Sequence, residues 1–248
     1  MSSEQAFAFT KENLDTYLKA LAKEYRRLNK KAVPAELILI GGASVLINYG
    51  FRNMTTDVDA IIQASSSIKD AINYTGDKFG LPNGWLNSDF ILTDSYSPKL
   101  AEFSRYYRSF SNIVTVRTVD AEYLIAMKLR SGRQYKNDLS DILGILSEHE
   151  KTGKPITIER IQKAVCDLYG DWSVLSESAR DFIEDVMQDG RYDLLYSQVM
   201  DGEQRAKKAL IIFEQQYPNT VTETNVGEIL QRLQVNQKKQ PHHTDRER

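Results

Sequence analysis

The sequence is poor in the residues that thiol, zinc and imidazole chemistry require. Cys166 is the only cysteine among 248 residues, which excludes an intramolecular disulfide and a cysteine-based zinc site. Its flanks, Ala164-Val165 and Asp167-Leu168, read as helix, so a buried structural thiol is expected there. The three histidines are His149, His242 and His243, and two of them lie in a polar tail, which argues against histidine catalysis. No Gly-x-Ser-x-Gly elbow and no Walker-type Gly-Lys-Ser/Thr sequence is present. Residues 1–9 lack the basic and apolar regions of a signal peptide, and the apolar run at 37–40 is far too short to cross a membrane. A soluble cytoplasmic protein with no membrane contact is therefore expected. Charge of one sign is also lacking. A net charge of −2 and a pI near 6.0 exclude a global basic field for extended nucleic-acid binding, though not a local patch.

What is present is an ordinary globular balance, 41% hydrophobic and 27% charged, enough for a sizeable core. Leu14, Leu18, Leu21 and Tyr25 recur at helical spacing within residues 10–31, until Pro34 intervenes. Residues 36–40 form a short branched apolar run suited to a buried strand, and two glycines end it. A helix over 43–49 stops at Gly50, a strand covers 56–63, and Ser65-Ser66-Ser67 opens a helix over 68–79. A turn region at 80–84 precedes an extended stretch at 85–93, and a further strand covers 113–117. From Asp120 onward the pattern is helical, over 121–130, 139–146, 158–169, 176–187, 203–217 and 226–235. Residues 151–155 form the best hinge, and the polar stretch from 236 onward reads as disordered. The expected fold class is α+β, a small mixed β-sheet core with flanking helices followed by a C-terminal helical domain. The expected domains are 1–150, 151–236 and a tail at 237–248.

Asp57 and Asp59 sit two apart on a predicted strand, so their side chains share one face. Two carboxylates that close repel unless a cation lies between them. Magnesium suits the place because it takes oxygen ligands and keeps positions for water and phosphate oxygens. Taken alone, the pair reads equally as two solvent-facing carboxylates. Upstream, Gly41-Gly42 joins a strand to a helix. Glycines there let a phosphate approach the backbone, and the helix start offers unpaired N–H donors. Ser44 adds a hydroxyl in reach of a phosphate oxygen. Gly41-Gly42 alone would mean only a tight turn, but cradle and carboxylates together make a complete site for Mg-NTP.

Leu39-Ile40-Gly41-Gly42-Ala43-Ser44 followed by Arg52, Thr56, Asp57 and Asp59 resembles the signature of the DNA polymerase beta-like nucleotidyltransferase superfamily. Within it, GGASVLINYGFRNMTTDVDAII is most similar to the minimal nucleotidyltransferases that include AbiEii-type abortive-infection toxins. The later stretch AEYLIAMKLRSGRQYKNDLSDILGIL resembles the same group, with Lys128, Arg133, Asp138 and Asp141 as the matching residues. The resemblance covers roughly residues 36–146.

What it implies is attack by an acceptor hydroxyl on the α-phosphate of an NTP, with pyrophosphate released. Asp57 and Asp59 would hold two Mg²⁺ ions, and Asp89 is the expected third carboxylate, with Asp94 close by. Gly41, Gly42, Ser44, Arg52, Thr56 and Lys128 are the expected nucleotide-binding residues. Lys128, among Leu124, Ile125, Met127 and Leu129, either snorkels or points into a cleft. Asp138 and Asp141 read as orienting Lys128 or Arg133, with Asp138 also a reasonable helix N-cap. The similarity to AbiEii-type proteins implies the toxin of a toxin–antitoxin or phage-defence pair. RNA, tRNA especially, or a protein hydroxyl would be the acceptor, and a cognate antitoxin protein the partner. Two rivals stand beside it, an antibiotic-modifying transferase and a catalytically silent scaffold of the same fold. The basic, aromatic stretch 103–110 suits either a packed hairpin or single-stranded nucleic acid, and Trp85 reads as a core anchor. The sequence leaves the oligomeric state open.

Overall fold

The computed structural model describes residues 7–29, 33–133, 136–222 and 225–239. The first helix, α1 (Lys11–Leu28), starts at a capping box in which Thr10 and Asn13 bond each other's backbone N–H groups. Its expected stripe, Leu14, Leu18, Leu21 and Tyr25, is fully buried. β1 (Ala35–Leu39) follows, then α2 (Gly41–Asn48), β2 (Val58–Gln63) and α3 (Ser67–Phe79), which ends at Gly80 in the left-handed conformation. β3 (Leu86–Asn87) is short. β4 (Ser104–Phe110) and β5 (Val114–Val119) form a hairpin whose turn residues Ser111 and Asn112 both have φ of 51°.

The five strands make one mixed sheet in the order β3-β2-β1-β5-β4. β1 is antiparallel to β2 and parallel to β5. β1 is therefore central and covered on both faces, which is why Leu37-Ile38-Leu39-Ile40 carries no polar residue. Leu37 and Leu39 pack with α1 and α3, whereas Ile38 and Ile40 join the helices on the other face.

Those helices are α4 (Ala121–Ser131), α5 (Asp138–Lys151), α6 (Ile158–Tyr169) and α7 (Glu177–Asp189). One buried cluster runs from Ile38 to Val186, on both sides of residues 151–155. α8 (Tyr192–Gln216) and α9 (Val226–Lys239) complete the chain, with a small core of Ala206, Leu210, Val226 and Leu230. The architecture is the expected α+β one. No helix among the described residues is long and apolar enough to cross a membrane.

Several local expectations need correction. α8 begins at Tyr192 rather than 203, and α9 reaches Lys239, so the helix takes in the first residues of the expected tail; residues 240–248 lie outside those described. The extended stretch expected at 85–93 is a two-residue strand followed by a 3₁₀ turn at Asp89–Leu92. The Asn87 side chain accepts the Asp89 N–H at 2.9 Å, and this Asx turn ends the strand. Cys166 is exposed, because Ile161, Ala164, Val165 and Leu168 take the buried face of α6. Trp85 is the expected anchor, 3% exposed and donating its indole N–H to the Ile72 carbonyl at 3.1 Å.

Candidate functional site

β1 delivers the chain to the site. The Ile40 N–H bonds the Asp59 carbonyl at 3.0 Å, which sets the end of β1 beside Asp59 on β2. α2 starts at once at Gly41, whose φ of +50° would strain any other residue. A Cβ on Gly41 would stand 3.9 Å from Asp59 Oδ2, so this carboxylate lies beside the helix start. The cap position of α2 is Ile40, which offers no side-chain acceptor, so the first N–H groups of the helix have no side-chain cap.

Gly42 serves a different purpose. A Cβ there would come within 2.5 Å of Thr55 Oγ1 and 2.9 Å of Arg52 Nη2. The absence of a side chain lets Thr55 and Arg52 close over the turn. Thr55 also donates its hydroxyl to Asp57 Oδ1 at 3.3 Å. Asp57 itself stands one residue before β2 rather than on it, and is exposed, as is Thr56.

The electrostatics around Asp59 are unbalanced. Burial and the neighbouring Asp57 carboxylate push its carboxyl up to about 6, with Asp89 adding to the rise, while Lys136 and Arg133 pull the other way. Asp57, Asp59 and Asp89 are thus brought to one electrostatic neighbourhood, with Arg133 and Lys136 opposing them. Asp89 is exposed on its 3₁₀ turn. Among the described residues no three carboxylate, imidazole or thiol groups converge closely enough to hold a metal ion, so only Asp57 and Asp59 are offered as ligands. These two fit a hard divalent cation. Both are oxygen donors, they are adjacent, they repel, and one opens to solvent.

Lys128 is placed elsewhere than a phosphate ligand requires. It is 4% exposed, and its ammonium lies 2.7 Å from Asp141 Oδ2 and 3.1 Å from Asp138 Oδ1. Burial opposes its charge, but Asp141 and Asp138 outweigh this and hold its pKa above the usual lysine value. Asp138 also accepts from Arg133 Nε at 2.9 Å. Burial disfavours its charge, yet Lys128 and Arg133 hold its carboxyl down to about 2. Asp141 pairs with Arg52 as well, and Arg52 donates from Nε to the Met54 carbonyl at 3.1 Å. Lys128 therefore braces Asp141, and Asp141 braces the guanidinium that stands over Gly42. Asp138 is the first residue of α5 rather than its N-cap.

Ser44 is likewise turned inward. It is fully buried, and its hydroxyl accepts from the Asn48 amide at 3.5 Å. Of the expected nucleotide-facing residues, the structure therefore gathers Gly41, Gly42 and Arg52 with Asp57 and Asp59, leaves Thr56 exposed beside them, and puts Ser44 and Lys128 below the surface.

Three contributors escaped sequence reasoning. Thr55 lies two residues before Asp57 in a run already singled out, and that spacing was the available signal. Lys136, with Arg133, sits in the charged connection between α4 and α5, and two cations in a short interhelical turn were visible. Glu203, on α8, carried no local signal at all.

Residues 16–168 match the family described as "Nucleotidyltransferase of unknown function (DUF6036)", a span that takes in all five strands, most of α1 and α6, and the helices between them. No curated protein and no solved structure matches the chain.

Proposed function

The chain belongs to the DUF6036 family of nucleotidyltransferases, and from that premise we propose that it moves a nucleoside monophosphate from an NTP to an acceptor hydroxyl. The hydroxyl oxygen bonds the α-phosphorus, the bond to the bridging oxygen of the β-phosphate breaks, and pyrophosphate leaves with that electron pair. Asp89 is the proposed acceptor of the hydroxyl's proton. The N–H groups at the start of α2, which no side chain caps and Gly41 leaves bare, hold phosphate oxygens, and Arg52, seated against Gly42, adds positive charge beside them. Asp57 and Asp59 are the proposed ligands of magnesium, as two ions. When bound, magnesium neutralises charge developing on the phosphates.

One observation carries this reading: a Cβ on Gly41 would lie 3.9 Å from Asp59 Oδ2, so phosphate cradle and carboxylate share one space. The test is incubation of the full chain with magnesium, each α-labelled NTP and total tRNA or cell lysate. Label should pass to a macromolecule, and Asp57→Ala with Asp59→Ala should abolish it while leaving the chain folded. Equal labelling by wild type and variant would sink the reading.

The resemblance to AbiEii-type toxins extends the proposal. RNA, tRNA especially, or a protein hydroxyl is then the acceptor, and a cognate antitoxin the partner. Expression alone should arrest growth, and the double alanine variant should be benign. Two equally benign proteins retire the toxin role. A second reading, nucleotide binding without transfer, is favoured by one fact: Asp89 acts on Asp59 through space but makes no three-carboxylate cluster with the pair. Binding of Mg-NTP with no labelling of any extract would select it.

A further inference from the structure

α8 lies wholly beyond the residues matched to the family, yet it sends one carboxylate to the helix turn that bears the ion network behind the site. Glu203 is 4% exposed. Its Oε1 accepts the Leu139 N–H at 2.9 Å and the Ser140 N–H at 3.3 Å, and its Oε2 accepts the Ser140 hydroxyl. These are N–H groups of the first turn of α5. Asn137, at the cap position, makes no side-chain cap bond of its own. The start of α5 is therefore capped by a residue 63 positions away from Ser140.

The capped turn is the one that bears the network. Asp138 immediately precedes Leu139, and Asp141 immediately follows Ser140. Asp141 pairs with Lys128 and with Arg52, and Arg52 Nη2 stands 2.9 Å from where a Gly42 Cβ would be. Movement of the first turn of α5 moves Asp141, and Asp141 is the carboxylate that aims Arg52. From these contacts we infer that Glu203 is a positioning residue for the proposed nucleotide site, acting through the start of α5 and Asp141 on the Arg52 guanidinium over Gly42. The inference rests on the reading of Gly41-Gly42 as a phosphate cradle. It makes the C-terminal helices part of the nucleotide-binding apparatus rather than an appended unit.

The experiment uses the full chain and calorimetric titration with MgATP, MgGTP, MgCTP and MgUTP, each beside a thermal melt. Glu203→Ala should weaken the best-bound nucleotide about tenfold, a common size for coupling between sites. Glu203→Gln keeps a carbonyl oxygen for both N–H groups and should stay within about threefold of wild type. Leu210→Ala, elsewhere on α8, should lower the melting temperature and leave affinity unchanged. If Glu203→Ala fails to fold, Glu203→Asp withdraws the carboxylate by one methylene and should cost about fivefold. Wild-type affinity in Glu203→Ala, or in Glu203→Asp where the alanine variant fails to fold, or an affinity loss in Leu210→Ala matching its melt, overturns the inference and leaves the proposed function standing. Failure of wild type to bind any of the four nucleotides defeats the proposed function, and the inference with it.

Discussion

Around Lys128 every charge has a partner of opposite sign: Asp138 and Asp141 lie buried against the buried ammonium, and the partly exposed Arg133 and Arg52 complete the set. Around Asp57 and Asp59 the carboxylates face each other, Asp89 adds to the repulsion, and Asp59 is held at about 6 by burial and its neighbour. The two regions share Arg52, which pairs with Asp141 on one side and closes over Gly42 on the other. The contrast separates framework from site. Compensated charge fixes geometry, and uncompensated charge is affinity waiting for a counterion.

The largest expected effect tests that separation directly. Asp141→Ala leaves Arg52 and Lys128 short of a counter-charge in a dry place and should cost about 3–5 kcal/mol of stability, read by chemical denaturation. Asp57→Asn with Asp59→Asn should instead keep or raise stability without metal, because it removes a repulsion. A double asparagine variant as unstable as Asp141→Ala would erase the distinction between the two regions.

Two buried acids should give pH limbs of opposite sense. Glu203 is pushed up to about 7 by burial, against the bonds it accepts from Ser140 and Leu139, with Asp141 adding to the rise. Its contribution to stability is present below the ordinary value of 4.5 and lost as pH rises through about 7, worth about 2–3 kcal/mol. Asp138, held at about 2, contributes stability above 3.8 that is lost as pH falls toward 2. Denaturation midpoints across pH should show Glu203→Gln flattening the upper limb while the acid limb stays. An unchanged upper limb in that variant removes Glu203 as its origin.

Gly42→Ala should act at the boundary between the regions. The new methyl would meet Thr55 Oγ1 at 2.5 Å and Arg52 Nη2 at 2.9 Å, and Thr55 is 3% exposed and has little room to yield. A loss of about 1–3 kcal/mol is expected, with weaker nucleotide binding because Arg52 is displaced. Calorimetry beside a denaturant melt separates the two effects. Unaltered affinity would show that Arg52 does not serve the nucleotide.

The sequence made the framework of the sheet legible where burial was two-sided. Leu37-Ile38-Leu39-Ile40 and the glycine turn after it read as a buried strand meeting a helix, and the fold places them so. The Asp57-x-Asp59 pair stood out by its spacing, but Asp57 lies one residue before β2, so strand alternation does not by itself put the two carboxylates on one side. Depth was not legible. Ser44 and Lys128 are residue types that favour a phosphate; the expected pairing of Asp138 and Asp141 with Lys128 is there, but local pattern gave no sign of how deep it lies or that Asn48 would take up Ser44. Cys166 failed for a related reason, since its apolar neighbours Ala164 and Val165 occupy the buried face of α6 and leave it outside. The start of α8 was missed because Gly202 interrupts the apolar pattern within a continuous helix.

Ser44→Ala should have the smallest effect and so gives the sharpest reading of depth. The hydroxyl is fully buried and its recorded partner is the Asn48 amide at 3.5 Å, a long contact. Asn48 also accepts from Thr118 Oγ1 at 3.1 Å, so its carbonyl oxygen keeps a partner when Ser44 is lost. Stability should fall by about 1 kcal/mol or less, and Mg-NTP affinity should change less than about twofold. A hydroxyl that touched the nucleotide would give the reverse, an affinity loss of about tenfold or more with the melt unmoved. That result would return Ser44 to the phosphate cradle and require α2 to turn when nucleotide binds.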